Sequence, residues 1–156
     1  MPTTMKIVSY FFLFLIFVSS LAFEANAGEN FLRIEKSTQS DADLRVTSIG
    51  GFGVDNGKIG HVDLSYIKSV NEGDGFAMDV GAAFAFNTGA TFFVGGGFLL
   101  GYNWDKSGFI NAYYPEAGIA VNITKSLGVI ISTKRYFNLY DNMEDVIMFG
   151  LLLNEL

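Results

Sequence analysis

Between Gly75 and Tyr102 the chain alternates large and small residues with a period of two. Phe76, Met78, Val80, Ala82, Phe84 and Phe86 form one set, and Gly75, Ala77, Asp79, Gly81, Ala83 and Ala85 the other. A helix would scatter both sets around its axis. An extended strand sends them to opposite faces, so the period predicts a strand. Asn87-Thr88-Gly89 interrupts the pattern, which resumes with Ala90, Phe92, Val94, Gly96, Phe98, Leu100 and Tyr102 on the large face. A three-residue loop ending in Gly suits a hairpin whose last loop residue is left-handed, and it places Phe86 opposite Ala90. The resulting hairpin has one broad apolar face and one small face with a single charge. That constrains the whole fold, because the apolar face must meet either a core or lipid.

The same alternation recurs along the chain. Eight strand-like segments are expected, over 30–36, 44–54, 58–70, 75–86, 90–102, 109–123, 127–137 and 145–154. Their large faces carry Leu32 and Ile34; Leu44, Val46, Phe52 and Val54; Val62, Leu64, Tyr66 and Val70; Phe109, Tyr113, Ile119, Val121 and Ile123; and Ile147, Phe149, Leu151 and Leu153. Short strands separated by turn residues predict an all-β meander. The connections alternate in kind. Asp55-Asn56-Gly57, Asn87-Thr88-Gly89 and Thr124-Lys125-Ser126 are short, whereas 38–43, 71–74, 103–108 and 138–143 read as longer and more polar. Short turns at one end and longer loops at the other describe an eight-stranded antiparallel up-and-down transmembrane β-barrel with its short turns in the periplasm.

Charge decides which face meets lipid. On the large face the only charges are Lys36, Lys58, Lys68, Arg135, Asp145 and Glu155, all at or near strand ends. Arg33, Glu35, Arg45, His61, Asp63, Asp79, Glu116 and Lys134 fall on the other face. A cation at mid-bilayer would cost roughly 2–4 kcal/mol, which accounts for this sorting. A soluble periplasmic lipid-binding barrel with the large face inward would show water only Gly, Ala and a few charges, too poor an exterior. Tyr102, Trp104, Phe109, Phe137 and Tyr140 gather at the long-loop end, where an interfacial aromatic belt belongs.

The first residues read as a cleavable signal. Lys6 precedes an almost wholly apolar run from Ile7 to Val18, and Ala25-Asn26-Ala27 is an A-x-A cleavage site. The expected division is therefore a signal peptide over 1–27 and an outer-membrane barrel over 28–156. The formal net charge of −6 at pH 7 argues against a nucleic-acid partner. With no Cys, disulfides, thiolate metal sites and Cys nucleophiles are excluded. The combination of 18 Gly and 16 Phe with only 2 Pro suits a sheet with aromatic outer faces and a lean interior.

These features resemble the small eight-stranded outer-membrane barrels of the OmpA, OmpX and opacity-protein kind. The stretches GFGVDNGKIGHVDLSYIKSVNEGDGFAMDVGAAFAF (51–86) and YPEAGIAVNITKSLGVIISTKRYFN (114–138) resemble YfaZ-type outer-membrane proteins. The resemblance implies fold and location and carries no site residues.

The residues that could carry chemistry face the lumen. Counting back from a three-residue turn at 124–126 places Glu116 opposite Lys134. Counting across 38–43 places Glu35 opposite Arg45, and across 71–74 Ile67 opposite Asp79, with Asp79 near Arg45. Inward ion pairs Glu116–Lys134 and Glu35–Arg45 are expected, since an unpaired lumen charge is expensive. The structural reading is a polar plug. The functional one is a charged constriction of a narrow pore, for which the inward Gly81, Gly95, Gly97, Gly118 and Gly128 would make room. His61, Asp63 and Ser65 are the only catalytic-looking set, but at spacing two they stand about 7 Å apart on one strand, too far for a hydrogen-bonded triad. One His and no Cys give little to hold a metal. The acidic tips (Asp41 and Asp43; Glu72 and Asp74; Asp141, Glu144 and Asp145) lack the spacing of a calcium loop. The expectation is a non-enzymatic outer-membrane barrel of a Gram-negative bacterium, structural or surface-interacting, without cofactor or metal. Its expected partners are membrane lipid, lipopolysaccharide and the outer-membrane assembly machinery, and it is expected to be monomeric; the alternative is a narrow pore.

Overall fold

In a computed structural model, residues 29–38 and 43–154 are described. The expected signal peptide over 1–27, Asp41 in the first loop, and Glu155 lie outside them. Eight strands follow in order: β1 (Glu29–Ser37), β2 (Leu44–Asp55), β3 (Lys58–Ser69), β4 (Gly73–Asn87), β5 (Thr91–Asn103), β6 (Gly108–Asn122), β7 (Leu127–Leu139) and β8 (Asn142–Leu153). Each pairs antiparallel with its sequence neighbour. β1 closes on β8 from Leu32 against Leu153 to Ser37 against Met148. Closure leaves no free edge strand among the described residues.

The central alternation does form the β4–β5 hairpin. Its register differs from the simple count by two residues: Phe86 faces Phe92, Asn87 faces Thr91, and the loop is 88–90. The shift is even, so each side chain keeps its face. Gly89 adopts φ 98° there.

The connections are shorter than their polarity suggests. At the end that carries both strand termini they span two, three and four residues (56–57, 88–90, 123–126). At the distal end they span six, three, four and two (38–43, 70–72, 104–107, 140–141). The expected long loops over 71–74, 103–108 and 138–143 are largely absorbed into strands, because backbone pairing continues through polar residues at the rim. The expected contrast between short and long loops survives only at β1–β2.

The outer surface is apolar on every strand. Ile34, Ile49, Leu64, Phe84, Phe98, Tyr113, Ile131 and Phe149 are among its exposed side chains. The interior has three layers. At the distal end Leu44, Val46, Ile67, Leu99, Ile110, Leu139 and Met148 form an apolar plug. At the terminal end Phe31, Phe52, Ile59, Phe93, Ile130 and Leu152 form another, with Phe52 and Phe93 edge to face at 6.0 Å. Burying each such side chain contributes about 1.5–3 kcal/mol. Charges lie between the plugs.

The plugs explain one reversal. Leu44, Val46 and Phe52 point inward and Arg45 outward. The rule that large residues face out fails on β2 because the lumen needs large residues at both ends. The β1–β2 connection also offsets the register by an odd number, which swaps the faces. Glu35 therefore stands opposite Ser48, and Arg45 stands beside Lys68.

Candidate functional site: a sealed charge layer and an open rim

All the sequence-derived lumen candidates except Arg45 lie on the inner wall. Glu35, His61, Asp63, Asp79, Glu116 and Lys134 are buried, as is Arg33. β1 supplies Arg33 and Glu35, β3 His61 and Asp63, β4 Asp79, β6 Glu116, and β7 Lys134. Period-two alternation puts each pair on one strand onto the same face.

Their contacts run across the lumen more than between neighbouring strands. The Arg33 guanidinium makes a forked contact with Asp63, donating through Nε at 3.2 Å and also through Nη2. Arg33 Nε also lies 3.3 Å from Glu35 Oε2, an ion pair by distance without hydrogen-bond geometry. The other Glu35 oxygen accepts from Ser132 Oγ at 3.0 Å. His61 bridges two carboxylates, Nδ1 at 2.9 Å from Asp63 and Nε2 at 3.0 Å from Glu116. Lys134 Nζ donates to Asp79 at 2.6 Å, and the Tyr114 hydroxyl donates to the other Asp79 oxygen. Arg33 lies 5.3 Å over the Phe52 ring and Lys134 4.5 Å over the Tyr114 ring, so aromatic faces complete their shells.

Several expected pairs are rearranged. Glu116 and Lys134 are register partners, but their side chains diverge to His61 and Asp79. Asp79 stands opposite Asp63, not Ile67, because the β3–β4 turn is only 70–72. It has no part with Arg45, which is on the outside. His61 and Asp63 are not held about 7 Å apart; their side chains lean together into a hydrogen bond. Ser65 pairs with Ser48 Oγ at 2.8 Å instead of His61, whose two ring nitrogens meet Asp63 and Glu116, so among the described residues no hydroxyl meets the imidazole.

The layer is closed to water. The side chains of Arg33, Glu35, His61, Asp63, Asp79, Glu116 and Lys134 have 0% exposure. The inward glycines do not open a path. A Cβ on Gly81 would lie 2.2 Å from His61 Nε2, one on Gly97 2.4 Å from the Tyr114 hydroxyl, and one on Gly118 2.3 Å from the Phe93 ring. The missing side chains are notches that seat large neighbours. His61, Asp63 and Asp79 do bring ligand-type atoms within 4.8 Å of one another, which sequence spacing could not reveal. A metal there would have to displace Arg33 from Asp63 and Lys134 from Asp79, leaving Lys134 unpaired and Arg33 with Glu35 alone.

The aromatic belt residues divide. Tyr102, Trp104 and Phe109 are exposed at the distal end, and Phe137 stacks on Tyr113 at 5.2 Å. Tyr66 and Phe76 join Trp104 in the same cluster. Tyr140 instead turns inward, packing on the distal plug while its hydroxyl accepts from Asn103 at 3.3 Å. A left-handed backbone at Tyr140, φ 52°, redirects it.

The distal rim also holds a small cavity of about 260 Å³. It opens where β6 and β7 separate: paired from Asn122–Gly128 up to Tyr113–Phe137, they share no register pair beyond that point. Pro115 lies close below, without an N–H to donate to the ladder. A bulge between Phe137 and Leu139 then leaves Asn138 without a register partner on β8.

No protein-family model matches the chain, and no curated protein matches it. Solved structures do. The neisserial surface protein NspA is 11% identical, with a TM-score of 0.57 over 82% of this chain and 96% of that one. The N-terminal β-barrel domain of Pseudomonas aeruginosa OprF is 20% identical, with a TM-score of 0.52 over 83% of this chain and 100% of that one. A designed transmembrane β-barrel is 13% identical, with a TM-score of 0.57 over 85% of this chain and 99% of that one. NspA and the OprF domain are small eight-stranded outer-membrane barrels. At these identities the shared feature is the fold, a closed eight-stranded antiparallel β-barrel.

Proposed function

We propose that the chain is an integral outer-membrane barrel of a Gram-negative bacterium, non-enzymatic, acting as a structural element of the membrane. The observation that carries this reading is the apolar outer surface on all eight strands, set against a lumen that takes the buried carboxylates. Lipid satisfies such a surface and water does not. Kinship with YfaZ-type proteins belongs to the same proposal. So do a periplasmic end bearing both termini, membrane lipid and lipopolysaccharide as neighbours, the assembly machinery as a transient partner, and a monomeric state. The short distal connections offer little surface to a macromolecule, which favours the structural role over adhesion.

The sealed charge layer weighs against the narrow-pore alternative. Two apolar plugs and a fully buried ion network leave no continuous polar path for water among the described residues. The barrel reconstituted in planar bilayers should give no conductance above the bare membrane. The membrane reading is tested by separating outer membranes from periplasm and running the protein on an SDS gel with and without boiling. Outer-membrane recovery with faster migration before boiling supports a detergent-resistant barrel. Periplasmic recovery without that shift sinks the reading.

A further inference from the structure

We propose that the cleft between β6 and β7 at the distal rim binds one uncharged hexose unit. Its chemistry differs from the rest of the surface. Asn111 and Asn138 lie side by side in its lining, Asn138 Nδ2 donating to Asn111 Oδ1. That leaves one amide N–H2 and one amide carbonyl without partners among the described residues. A planar donor beside a planar acceptor matches adjacent hydroxyls, each of which donates and accepts. The exposed Phe109 borders the same cavity and presents an apolar surface to the C–H face of a sugar ring.

Charge narrows the class. Lys106 is the one cation among the described residues of the lining and is offset by Glu72 at 2.6 Å, so the cleft offers an anion no net positive charge. The Asp141 carboxylate, also in the lining, repels one. The cavity is smaller than pockets for drug-sized ligands, which suits one ring.

The backbone supports a built site. Ser107, Asn138, Tyr140 and Asp141 all have positive φ, from 52° to 66°, and all lie in or beside this cleft. Tyr140-Asp141 is the two-residue β7–β8 turn, where positive φ is expected; Asn138, inside β7, is left-handed without such a turn and lines the cleft. The β7 bulge, which places Asn138, is a second local distortion at the same place.

A free hexose could reach the cleft in any compartment. A lipid-linked one could reach it only from the membrane, and that arm rests on the membrane reading above. The test follows side-chain amide resonances of the full chain folded in phosphocholine micelles. Glucose, galactose and N-acetylglucosamine are titrated free, and dodecyl glucoside is added to the micelles. We expect saturable shifts of the Asn111 and Asn138 amides with at least one probe. Response to a free sugar identifies a soluble source, and response to dodecyl glucoside alone identifies a lipid-linked one. Two variants should bind about tenfold more weakly or not at all, as expected for one lost polar contact or a blocked site. Asn138→Gly removes an amide while tolerating positive φ. Gly108→Trp grows from a position whose Cβ meets nothing within 4 Å, so it fills the cleft without straining the barrel. An unchanged folded spectrum for both variants shows that the barrel is intact. No saturable shift with any probe, or equal shifts in wild type and both variants, overturns the proposal.

Discussion

The barrel has two polar regions, and they are built on opposite principles. The mid-lumen layer places Arg33, Lys134 and His61 against four carboxylates with no exposed side-chain surface, most of its polar atoms partnered and three (Arg33 Nη1, Glu35 Oε2 and Glu116 Oε2) without a hydrogen bond among the described residues. The rim cleft has fewer charges, free amide groups, and backbone held in left-handed conformations. A buried polar network specifies one arrangement and, sealed from water, gives a ligand no entry. Incompletely satisfied groups at an exposed rim keep water as a partner and can exchange it. Depth in the barrel therefore separates a site that holds the fold from one that can bind.

The largest effect should come from breaking the layer. Asp63→Ala removes the carboxylate shared by Arg33 and His61, leaving a buried guanidinium to depend on Glu35, which it meets at 3.3 Å. Removing one partner of a buried pair typically costs about 3–5 kcal/mol. Urea unfolding in lipid vesicles should show a loss of that order. Replacing both members of a separate pair, Lys134→Met with Asp79→Leu, should cost far less than either single change, because no charge is left stranded. If Asp63→Ala were nearly silent, the Arg33 guanidinium would not depend on Asp63 for its burial.

Much of this layer was legible in the sequence as a set, and little as contacts. Period-two parity brings Glu35, His61, Asp63, Asp79, Glu116 and Lys134 to one face, and a short turn correctly aligns Glu116 with Lys134. Register counting reaches only adjacent strands. Arg33 on β1 meets Asp63 on β3, His61 on β3 meets Glu116 on β6, and Asp79 on β4 meets Lys134 on β7. Such partners become neighbours only when the sheet closes around a narrow lumen. Arg45 failed for a different reason. The lumen ends must be plugged, so Leu44, Val46 and Phe52 go inside and their parity is the reverse of the hairpin's. The rim cleft left no hydrophobic pattern to read, since it depends on a one-residue bulge and on where β6 and β7 part.

Two glycines sharpen the same contrast with a smaller effect. A Cβ at Gly81 would press on His61 Nε2, a ring atom already fixed by Glu116, so the imidazole must move and that contact must break. Overpacking of this kind costs typically 1–3 kcal/mol. A Cβ at Gly108 meets nothing within 4 Å, and a change there should stay within about 0.5 kcal/mol. Gly81→Ala and Gly108→Ala, compared by unfolding midpoint, should separate by that difference. Equal midpoints would mean that His61 is loosely held and that Glu116 does not fix its ring.

The smallest effect concerns two turns of equal length at opposite ends. Asn56-Gly57 joins β2 to β3 with φ of 46° and 74°, and Tyr140-Asp141 joins β7 to β8 with φ of 52° and 61°. Positive φ at both positions is the signature of a type I′ turn, for which Asn-Gly is the favoured pair. Tyr-Asp is a poor choice on local grounds. Its side chains do other work: Tyr140 covers the distal plug and Asp141 lines the cleft. The two turns should therefore respond to substitution in opposite directions. Gly57→Ala should destabilise by about 1 kcal/mol, because the left-handed backbone penalises a Cβ while Ala85 O at 3.4 Å is only an ordinary contact. Asp141→Gly should stabilise by about 0.5 kcal/mol, relief of the left-handed backbone being offset in part by the greater freedom of Gly in the unfolded chain. Unfolding in urea reads both. If Asp141→Gly were instead destabilising, the carboxylate would be holding the turn together, and its place in the cleft would be a consequence of folding and not a feature kept for binding.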